Sequence, residues 1–580
     1  MRPRSLYSLS IFIIGCLLCC RPISSFDLWW ELAEARWIAA NLAFPTHPLF
    51  TYTLTDFPYI AHEWASGMVF YGIRSAFSEL GLLLFVTAAF GILCMLFYRL
   101  LLRGGAGQWG AWLYTLLFLV IAQMRFPLRP ELFSSFAMMA VCFLAQDPRT
   151  GRRQLAAHFA VFALWANFHG EFAFGIAYLL ISWISTRSSC WGKRLLAASL
   201  GSLCNPYGWK VWSIPFFYFF EQRRIFETST EGQLVPLHFI AGALITLLSI
   251  GLMLWERFGD RSGEESREFS WRDFLLTAAF GFQMFKVNRL LVLFCIVAMP
   301  ILYFQAARFL RRRAWTPREG IAPAYRLLLL PALIIFIALW RGPYAVGCLR
   351  RPLEQKFLPE KAAGFLEKIQ ARGKIYNSYS FGGYLEWRLF PRLRPFYDGR
   401  YPYTELQYEE TAARESPEKW QAFISRYDAD FACIDWVWEG GLQLILGPAW
   451  GKAWEEASAR SPYSYLLPKK DWTLLYWDER ALVFARNTPG NREIIRRCGL
   501  RYTEPLAWPE TWRRVQTGEI QGSQVLRELA EIRGRAGPNW LSDMMSAQLG
   551  KEKTDAAMGT FGKREDAGQR GAAHPQEARQ

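Results

Sequence analysis

The side chains that could do chemistry in this chain lie in short polar segments between long apolar runs. They are two carboxylates, two histidines and four cations: Asp27, Glu63, His62, His169, Arg125, Arg129, Lys286 and Arg289. Carboxylates transfer protons and bind divalent cations. Guanidinium and ammonium groups match an anionic headgroup, although long cations at a membrane surface also snorkel without any ligand. The residue types therefore indicate proton transfer beside an anionic group, with the histidines as secondary candidates.

Long apolar runs must position these residues. The chain of 580 residues is 52% hydrophobic, and the apolar residues lie in blocks rather than in an alternating or heptad pattern. Blocks of this length are typical of membrane-spanning helices. The candidate spans are residues 5–22, 80–102, 109–124, 130–145, 155–168, 171–186, 195–205, 235–255, 273–287, 289–307 and 325–341. We predict a mainly α polytopic membrane protein with about 11 transmembrane helices.

The basic residues between the spans predict an orientation. With a cytoplasmic N-terminus, the inside loops hold Arg103, Arg149, Arg152, Arg153, Arg187, Lys193, Arg194, Arg257, Arg261, Arg267, Arg308 and Arg311 to Arg313. This pattern satisfies the positive-inside rule. It also requires residues 64–78 to form a surface or re-entrant helix, because a crossing there would move Arg149 outside.

Almost every unusual polar residue of the membrane half then falls on the outer side. The outer segments are Phe26 to Trp64, Arg125 to Arg129, Asn167 to Glu171, Asn205 to Tyr207, Glu221 to Gln233 and Lys286 to Arg289. Ionisable groups at membrane depth normally face a cavity or one another. The sequence therefore predicts one polar site on the outer face.

The first outer loop, residues 24–79, begins with an amphipathic segment. A helix from Asp27 would place Asp27, Glu31 and Glu34 on one face and apolar residues opposite, so it should lie flat in the interface. We expect Glu31 and Glu34 to be solvated there. Asp27 is different, because it stands where the first span leaves the membrane, beside the predicted site.

The chain divides into three regions by composition. Residues 1–341 form the multi-spanning domain, and residues 342–500 mix charged and aromatic residues in short strand-like runs. We predict a small C-terminal extracytoplasmic α/β domain there, with strands at Lys374 to Tyr376, Phe431 to Trp436, Trp472 to Trp477 and Ala481 to Ala485. Residues 501–580 should form helical patches followed by a disordered tail.

Several short motifs occur in order along the chain. They are Asp27-Leu28-Trp29-Trp30, Phe44 to Thr53, His62-Glu63-Trp64, Arg129-Pro130, Trp165 to Gly170, Asn205 to Gly208, Gly382 to Leu385 and Asp398-Gly399-Arg400. Together they resemble bacterial membrane proteins of the GT-C glycosyltransferase superfamily, related to protein O-mannosyltransferases and lipid A aminoarabinose transferases. The resemblance implies a GT-C-like fold, a polyprenyl-phosphate-sugar donor and an acidic residue in the first outer loop. After Trp29-Trp30 the family often has His, whereas this chain has Glu31.

With such a donor, the chemistry needs few groups. Displacing a lipid phosphate from an anomeric carbon requires a base for the acceptor's proton and cations for the departing phosphate, and it inverts the configuration. We predict Asp27 as the base and Glu63, or less favourably Asp56, as a second carboxylate that orients the acceptor or holds a divalent cation. The predicted substrate-binding residues are Arg125, Arg129, His169, Lys286, Arg289 and His62. Metal dependence stays open, and we expect no other cofactor.

The resemblance therefore implies a glycosyltransferase of the bacterial cytoplasmic (inner) membrane. Its partners would be a polyprenyl-phosphate-linked sugar, the lipid bilayer and an unknown acceptor of the cell envelope. The alternatives are a transporter or flippase for a lipid-linked or anionic solute, and a non-catalytic GT-C-like envelope-assembly protein. A transporter should show inverted repeats and midplane charges, and the sequence shows neither. The net charge of +16 lies in short clusters without a base-reading motif, so we expect no nucleic-acid partner.

We expect an odd number of crossings, with the N-terminus inside and the chain after residue 342 outside. Reporter fusions at Gly151, Gly263 and Gly440 should give cytoplasmic, cytoplasmic and extracytoplasmic signals, respectively. A cytoplasmic signal at Gly440 would contradict the one-sided site.

Overall fold

The chain forms two compact units. The computed structural model describes residues 3–147, 151–228, 236–258, 269–312, 323–436 and 466–550. The first unit comprises Met1–Leu49, Leu54–Gln355 and Gly399–Tyr408, and the second comprises Phe50–Thr53, Lys356–Asp398 and Glu409–Gln580. The division falls after Gln355 rather than at the predicted residue 342, because the last long helix continues to Arg350.

The first unit is helical. Its helices are α1 (Pro3–Cys19), α2 (Asp27–Asn41), α3 (Trp64–Arg103), α4 (Gln108–Ala122), α5 (Glu131–Ala145), α6 (Arg152–Phe168), α7 (Phe172–Thr186), α8 (Ser189–Ser202), α9 (Ser213–Thr228), α10 (Pro236–Phe258), α11 (Trp271–Lys286), α12 (Leu291–Arg312) and α13 (Pro323–Arg350). Every predicted span coincides with one of them. The apolar blocks therefore locate the helices correctly.

Among the described residues, four helical segments are long and apolar enough to cross a membrane. They are Trp64–Arg103, Phe239–Phe258, Leu291–Arg311 and Leu329–Arg350, and shorter apolar helices lie at Ser5–Cys19, Gln108–Ala122, Glu131–Ala145 and Phe172–Thr186. The chain is thus a membrane protein by the length and composition of its helices. The count of about 11 crossings and their orientation stay predictions.

Helix α3 breaks at Ser78. This residue has φ 57° and ψ −161°, which no helix accommodates, and the Arg74 and Glu79 side chains form an ion pair of 2.6 Å beside it. The break divides α3 into a first part, residues 64–77, and a longer apolar part. The boundary matches the predicted one between the surface or re-entrant helix and the span at residues 80–102.

The segment that leads into α2 is fixed by backbone hydrogen bonds. The Ile23 N–H donates to the Pro352 carbonyl at 2.8 Å, and the Glu354 N–H donates to the Ile23 carbonyl at 3.0 Å. Arg341 of α13 also donates to the Cys20 carbonyl at 3.4 Å. These bonds fix the position of the chain just before α2, and therefore the position of Asp27, its first residue.

Helices α2 and α3 approach each other closely at Gly67. A Cβ atom added to Gly67 would lie 2.9 Å from the Glu31 carbonyl oxygen and 3.5 Å from the Ala35 Cβ. Real Cβ atoms do not come that close to a backbone oxygen, so only glycine allows this contact. The contact places Glu31 against α3.

The second unit is built on a five-stranded sheet. Its strands are β1 (Gly373–Asn377), β2 (Leu393–Pro395), β3 (Phe431–Asp435), β4 (Trp472–Trp477) and β5 (Ala481–Arg486), in the order β2-β1-β3-β5-β4. Strands β2, β1 and β3 are parallel, and β5 pairs antiparallel with both β3 and β4. The four predicted strands are all present. Strand β3 is buried along its whole length, as expected for a strand covered on both faces.

The remaining helices lie between and after these strands. They are α14 (Glu360–Lys368), α15 (Gly382–Leu389), α16 (Thr404–Ala413), α17 (Pro417–Ile424), α18 (Arg492–Cys498), α19 (Trp508–Gln516), α20 (Gly522–Ala536) and α21 (540–550). The predicted disordered tail beyond Lys551 lies outside the described residues.

Two glycine-containing motifs of the sequence do not form turns. Gly382 and Gly383 begin α15 instead of forming a turn or bulge, and a Cβ at Gly382 would lie 2.1 Å from the Tyr397 carbonyl oxygen. Asp398 and Gly399 do not form a hairpin turn. Strand β2, which precedes them, runs parallel to β1, and Asp398 is fully buried.

We expect Gly67→Ala to be less stable than Gly72→Ala by about 1–3 kcal/mol, the usual cost of overpacking. Both glycines lie inside α3, so both variants gain the same helix propensity, but a Cβ at Gly72 meets nothing within 4 Å. Thermal unfolding of the detergent-solubilised protein measures the difference. Equal stability of the two variants would contradict the close packing of α2 on α3.

Candidate active site

Chemically active side chains of the first unit gather at the ends of its helices. Asp27 and Glu31 lie in the first two turns of α2, Glu63 precedes α3, Arg129 and Glu131 stand at the start of α5, and His169 and Glu171 join α6 to α7. Helix ends leave backbone groups unpaired and tolerate polar residues, so they are natural places for such side chains in an apolar unit. We call Asp27, Glu31 and Glu63 the carboxylate cluster.

Asp27 forms an ion pair with Arg129. The Asp27 Oδ2 and Arg129 Nη2 atoms are 3.2 Å apart, and the Arg129 Nε donates to the Ser25 hydroxyl at 3.4 Å. The position of Asp27 in the first turn of α2 also favours its negative charge. Its side chain is 28% exposed, compared with 13% for Glu63. Asp27 is therefore the most accessible carboxylate of the cluster.

Two histidines face Glu63. Its Oε1 atom lies 3.2 Å from the His169 Nε2 and 3.5 Å from the His62 Nε2. Burial alone would raise the pKa of Glu63, but His62, His169 and Arg289 together outweigh it and lower the pKa below its usual value. Glu63 is therefore a firmly ionised and weakly basic carboxylate.

His169 lies between two carboxylates. Besides Glu63 at one ring nitrogen, its Nδ1 is 3.4 Å from the Glu171 Oε2 and 2.9 Å from the Ser134 hydroxyl, which in turn accepts a hydrogen bond from Trp165 Nε1. Burial acts to lower the pKa of His169, but the two carboxylates prevail and raise it to about 10. The imidazole is thus a buried cation that neutralises part of the surrounding charge.

His62 differs from His169 in its surroundings. Burial is the main cause that lowers the pKa of His62, and its ring packs edge-on against Tyr401 at 5.8 Å between centroids. It contacts Glu63 as a neutral ring. The prediction of both histidines near one site fits this geometry, while their roles toward a substrate stay predictions.

Glu31 is buried, and the expectation that it is solvated is wrong. Only 2% of the residue is exposed. Neither side-chain oxygen has a hydrogen-bond partner within the part of the chain that the structure describes. Burial, followed by the charges of Glu63 and Asp27, raises the pKa of Glu31 well above its usual value, against the weaker effects of Arg129 and His169. A carboxyl that is buried without a partner favours its uncharged form, so Glu31 is the neutral acid of the cluster.

Glu34 is also buried rather than solvated, but it has partners. Its Oε2 atom accepts a hydrogen bond from the Tyr59 hydroxyl at 2.7 Å and lies 3.4 Å from the Arg400 Nη1. The Arg400 guanidinium lies over the rings of Trp30 and Tyr59, 5.6 Å from each centroid. These contacts explain Glu34 as a structural residue. Asp56, the weaker candidate for the second carboxylate, is exposed.

Three arginines, Arg125, Arg129 and Arg289, lie around Glu131. We call them the arginine group, because all three are close enough to act electrostatically on the Glu131 carboxyl. Arg289 also lies over the Tyr218 ring, 5.3 Å from its centroid. The Nε and Nη2 atoms of Arg125 are buried without a hydrogen-bond partner among the described residues.

Lys286 stands apart from these arginines in its environment. It is the last residue of α11, its side chain is exposed, and its Nζ lies 4.8 Å from the Phe282 ring centroid. That position is the one expected for a lysine at a membrane surface. A role for Lys286 in binding the donor stays a prediction.

Other motif residues have structural contacts. The Trp64 Nε1 donates to the Asn167 Oδ1 at 2.9 Å, and the Asn205 Oδ1 accepts from the Tyr207 N–H at 2.9 Å. These bonds connect α3 to α6 and shape the turn after α8. These residues belong to the motifs that carry the family resemblance. Their contacts within the protein explain their presence without a role in binding a substrate.

No metal site stands out. Across the described ranges, no group of three or more His, Cys, Asp or Glu side chains is arranged to hold a metal ion. The divalent cation considered from the sequence stays a prediction.

The arrangement joins an acidic and a basic side. The carboxylate cluster offers one accessible base, one fixed anion and one neutral acid, while the arginine group offers positive charge. Arg129 belongs to the basic side and pairs with Asp27 on the acidic side. Such a site can take a proton on one side and stabilise a developing anion on the other.

Sequence reasoning missed four members of this site, namely Glu31, Glu131, Ser134 and Glu171. Glu131 and Glu171 directly follow residues that the sequence analysis had singled out, so a wider window around Arg129 and His169 would have found them. The burial of Glu31 had no such signal, because it depends on Gly67, which lies 36 positions away.

Solved structures include loose likenesses to this chain. No protein-family profile matches the sequence, and no curated protein matches it. The archaeal oligosaccharyltransferase AglB from Archaeoglobus fulgidus, solved with an inhibitory peptide and a dolichol-phosphate, is 10% identical, with a TM-score of 0.47 over 85% of this chain and 76% of its own. ArnT from Cupriavidus metallidurans, solved with undecaprenyl phosphate, is 15% identical, with a TM-score of 0.39 over 83% of this chain and 97% of its own. Because these similarities are low, the role of a residue in either structure cannot be assigned to a residue of this chain.

We expect the charged His169 ring to stabilise the folded protein less as the pH rises into the alkaline range. Its pKa in the folded protein, about 10, lies above its value in the unfolded chain. The charged ring therefore stabilises the fold fully below about pH 6.5, and this contribution is lost as the pH rises toward 10. The difference in thermal stability between wild type and His169→Gln should be largest at the acidic end of this range and should shrink across it.

His47→Gln is the control for this measurement, because His47 lies on an exposed part of the first outer loop. A difference between wild type and His169→Gln that stays constant from neutral to alkaline pH would contradict a charged His169.

Proposed function

We propose that the protein is a membrane glycosyltransferase that moves a sugar from a polyprenyl-phosphate donor to an acceptor on the outer face of the membrane. One observation carries the proposal: an accessible carboxylate, Asp27, is paired with an arginine inside a group of buried acids, histidines and arginines in an apolar helical unit. Burying this many ionisable groups is costly, and such groups in membrane proteins are normally functional.

The arginine group is the proposed phosphate site. A phosphate carries the charge and the acceptor oxygens that guanidinium groups bind best. Two side-chain nitrogen atoms of Arg125 are buried and have no hydrogen-bond partner in the described ranges, so they are available for an anionic ligand. Lys286, at the end of α11, would meet the same lipid nearer to the surface. The lipids named with the AglB and ArnT structures belong to the class proposed here.

Asp27 is the proposed general base. Glu63 is less suitable, because two histidines face it and its pKa is lowered, and Glu31 is protonated. Asp27 would take the proton of an acceptor hydroxyl while the acceptor oxygen forms a bond to the anomeric carbon. The bond from that carbon to the phosphate oxygen then breaks, and the electron pair leaves with the phosphate toward the arginine group. This single displacement inverts the anomeric configuration.

Glu63 is proposed to act by its charge. It keeps His169 protonated and faces the same region as Asp27, where a fixed anion favours the positive charge that develops on the sugar ring. Alternatively, Glu63, or less favourably Asp56, would hold a divalent cation, which would supply further positive charge for the departing phosphate. Loss of transfer on chelation, with recovery on adding Mg²⁺ or Mn²⁺, would support the cation.

The function is tested by the lipids of cells that lack the protein. A lipid-linked sugar should accumulate in their membranes, and wild-type protein should remove it. Asp27→Asn, which keeps nearly the same shape but accepts no proton, should consume this lipid about 100-fold to 10,000-fold more slowly. Mass spectrometry of the lipid extract, together with the amount of protein in the membrane, gives the result.

Asp273→Asn is the matched control, because Asp273 occupies the first turn of α11 as Asp27 does in α2. It should restore consumption of the lipid. If no lipid-linked sugar accumulates without the protein, the glycosyltransferase proposal fails. If Asp27→Asn consumes the lipid at the wild-type rate, the base lies elsewhere, with Glu63 the next candidate.

A further inference from the structure

Glu31 is the one member of the carboxylate cluster that the mechanism leaves without a task. It is 2% exposed, and neither of its oxygens has a hydrogen-bond partner in the described part of the chain. Buried polar groups are nearly always paired, because an unpaired one loses its hydration without compensation. A group that stays unpaired at a candidate active site therefore indicates a ligand that pairs with it.

We propose that Glu31 binds the sugar of the donor, as a neutral carboxylic acid that donates one hydrogen bond to a sugar oxygen and accepts another from a sugar hydroxyl. This inference rests on the proposed function and names the part of the substrate that Glu31 recognises. It reverses the expectation from the sequence, in which Glu31 was a solvated residue of an interfacial helix.

The charges around Glu31 favour a sugar over a phosphate. The carboxylates Glu63 and Asp27 act on the Glu31 carboxyl more strongly than the cations Arg129 and His169 do. A phosphate on this side would meet two negative charges, which is unfavourable. A neutral ring with hydroxyl groups meets no such repulsion, and hydroxyls donate well to carboxyl oxygens. The proposed site for the phosphate is the arginine group, whose positive charges suit it.

The position of Glu31 is fixed well enough for selective binding. Its backbone is held against Gly67 of α3, and it lies one helical turn after Asp27 on the same face of α2. Asp27 and Glu31 therefore move together as parts of one helix. A sugar bound by Glu31 would stand beside the base, which is the placement that displacement at its anomeric carbon requires.

The unfolding temperature of a Glu31 variant distinguishes a ligand-binding role of Glu31 from a structural role. If Glu31 held the fold together, its replacement would destabilise the protein. A buried carboxyl that is unpaired in the absence of its ligand instead destabilises the protein. Leucine is of similar size but apolar, so Glu31→Leu should unfold at a higher temperature than wild type. A lower unfolding temperature for Glu31→Leu would overturn the proposal.

Binding supplies the second readout. The probes are undecaprenyl phosphate and undecaprenyl phosphate linked to a hexose, a pentose or an N-acetylhexosamine, and protection of the purified full-length protein against thermal unfolding is measured over a range of concentrations. Wild type should bind at least one sugar-linked lipid more tightly than the bare lipid. Glu31→Leu should lose this preference by about 10-fold to 100-fold, whereas Glu31→Gln, which keeps a donor and an acceptor, should lose less.

Asn41→Leu is the matched control, because it introduces the same apolar side chain at an exposed position of α2. It should retain the wild-type preference. If wild type prefers a sugar-linked lipid and Glu31→Leu does so equally, the role of Glu31 is overturned and the proposed function stands. If wild type binds bare and sugar-linked lipids alike, sugar recognition at this site is overturned. If it binds none of them, the proposed function fails, and this inference fails with it.

Discussion

The arrangement of the candidate site depends on the contact between Glu63 and His169. Two ionisable groups buried in an apolar helical unit can stay charged only if each neutralises the other, because either charge alone would be too costly. Glu63 precedes α3, and His169 follows the last residue of α6, so the pair connects two helices through residues that are 106 positions apart in the sequence. The positions of Glu171, Ser134 and His62 follow from it, since each contacts one member of the pair.

The three carboxylates of the cluster illustrate how environment gives one functional group several chemistries. Asp27 has an arginine and partial access to solvent, and Glu63 has two histidines and little access. Glu31 is 2% exposed and has no hydrogen-bond partner among the residues that the structure describes. The first is an ionised base, the second a fixed anion and the third a neutral acid. Their proximity reinforces the difference, because each ionised neighbour makes ionisation of the third less favourable.

The helices and strands, which depend on neighbouring residues in the sequence, were predicted well. Apolar blocks located every predicted span on a helix, and β-branched and aromatic runs located four of the five strands. The three-residue strand β2 is too short to leave such a pattern. The sequence also grouped Asp27, Glu63, Arg129, His62 and His169, because all of them fall in segments that the positive-inside pattern assigns to the outer face.

Features that depend on distant packing were not foreseen. Glu31 and Glu34 have the spacing of a solvated helix face, and nothing local distinguishes a carboxylate that faces water from one that faces another helix. The close approach at Gly67 and the arrival of Arg400 from far along the chain decide their burial. In the same way, the sequence does not show that Lys286 is exposed whereas Arg289 packs against another side chain. Arg289 lies over the Tyr218 ring because the chain breaks between α11 and α12.

Helix α2 carries Asp27, Glu31 and Glu34 at intervals of four and three residues, which is one turn each. This spacing restricts the changes of length that the chain can accept. A single residue inserted between Asp27 and Glu31 would rotate one carboxylate by about 100° relative to the other, so that both could no longer face the same site. Variation among related chains should therefore consist of substitutions within this helix, while insertions and deletions collect in the loop that follows it.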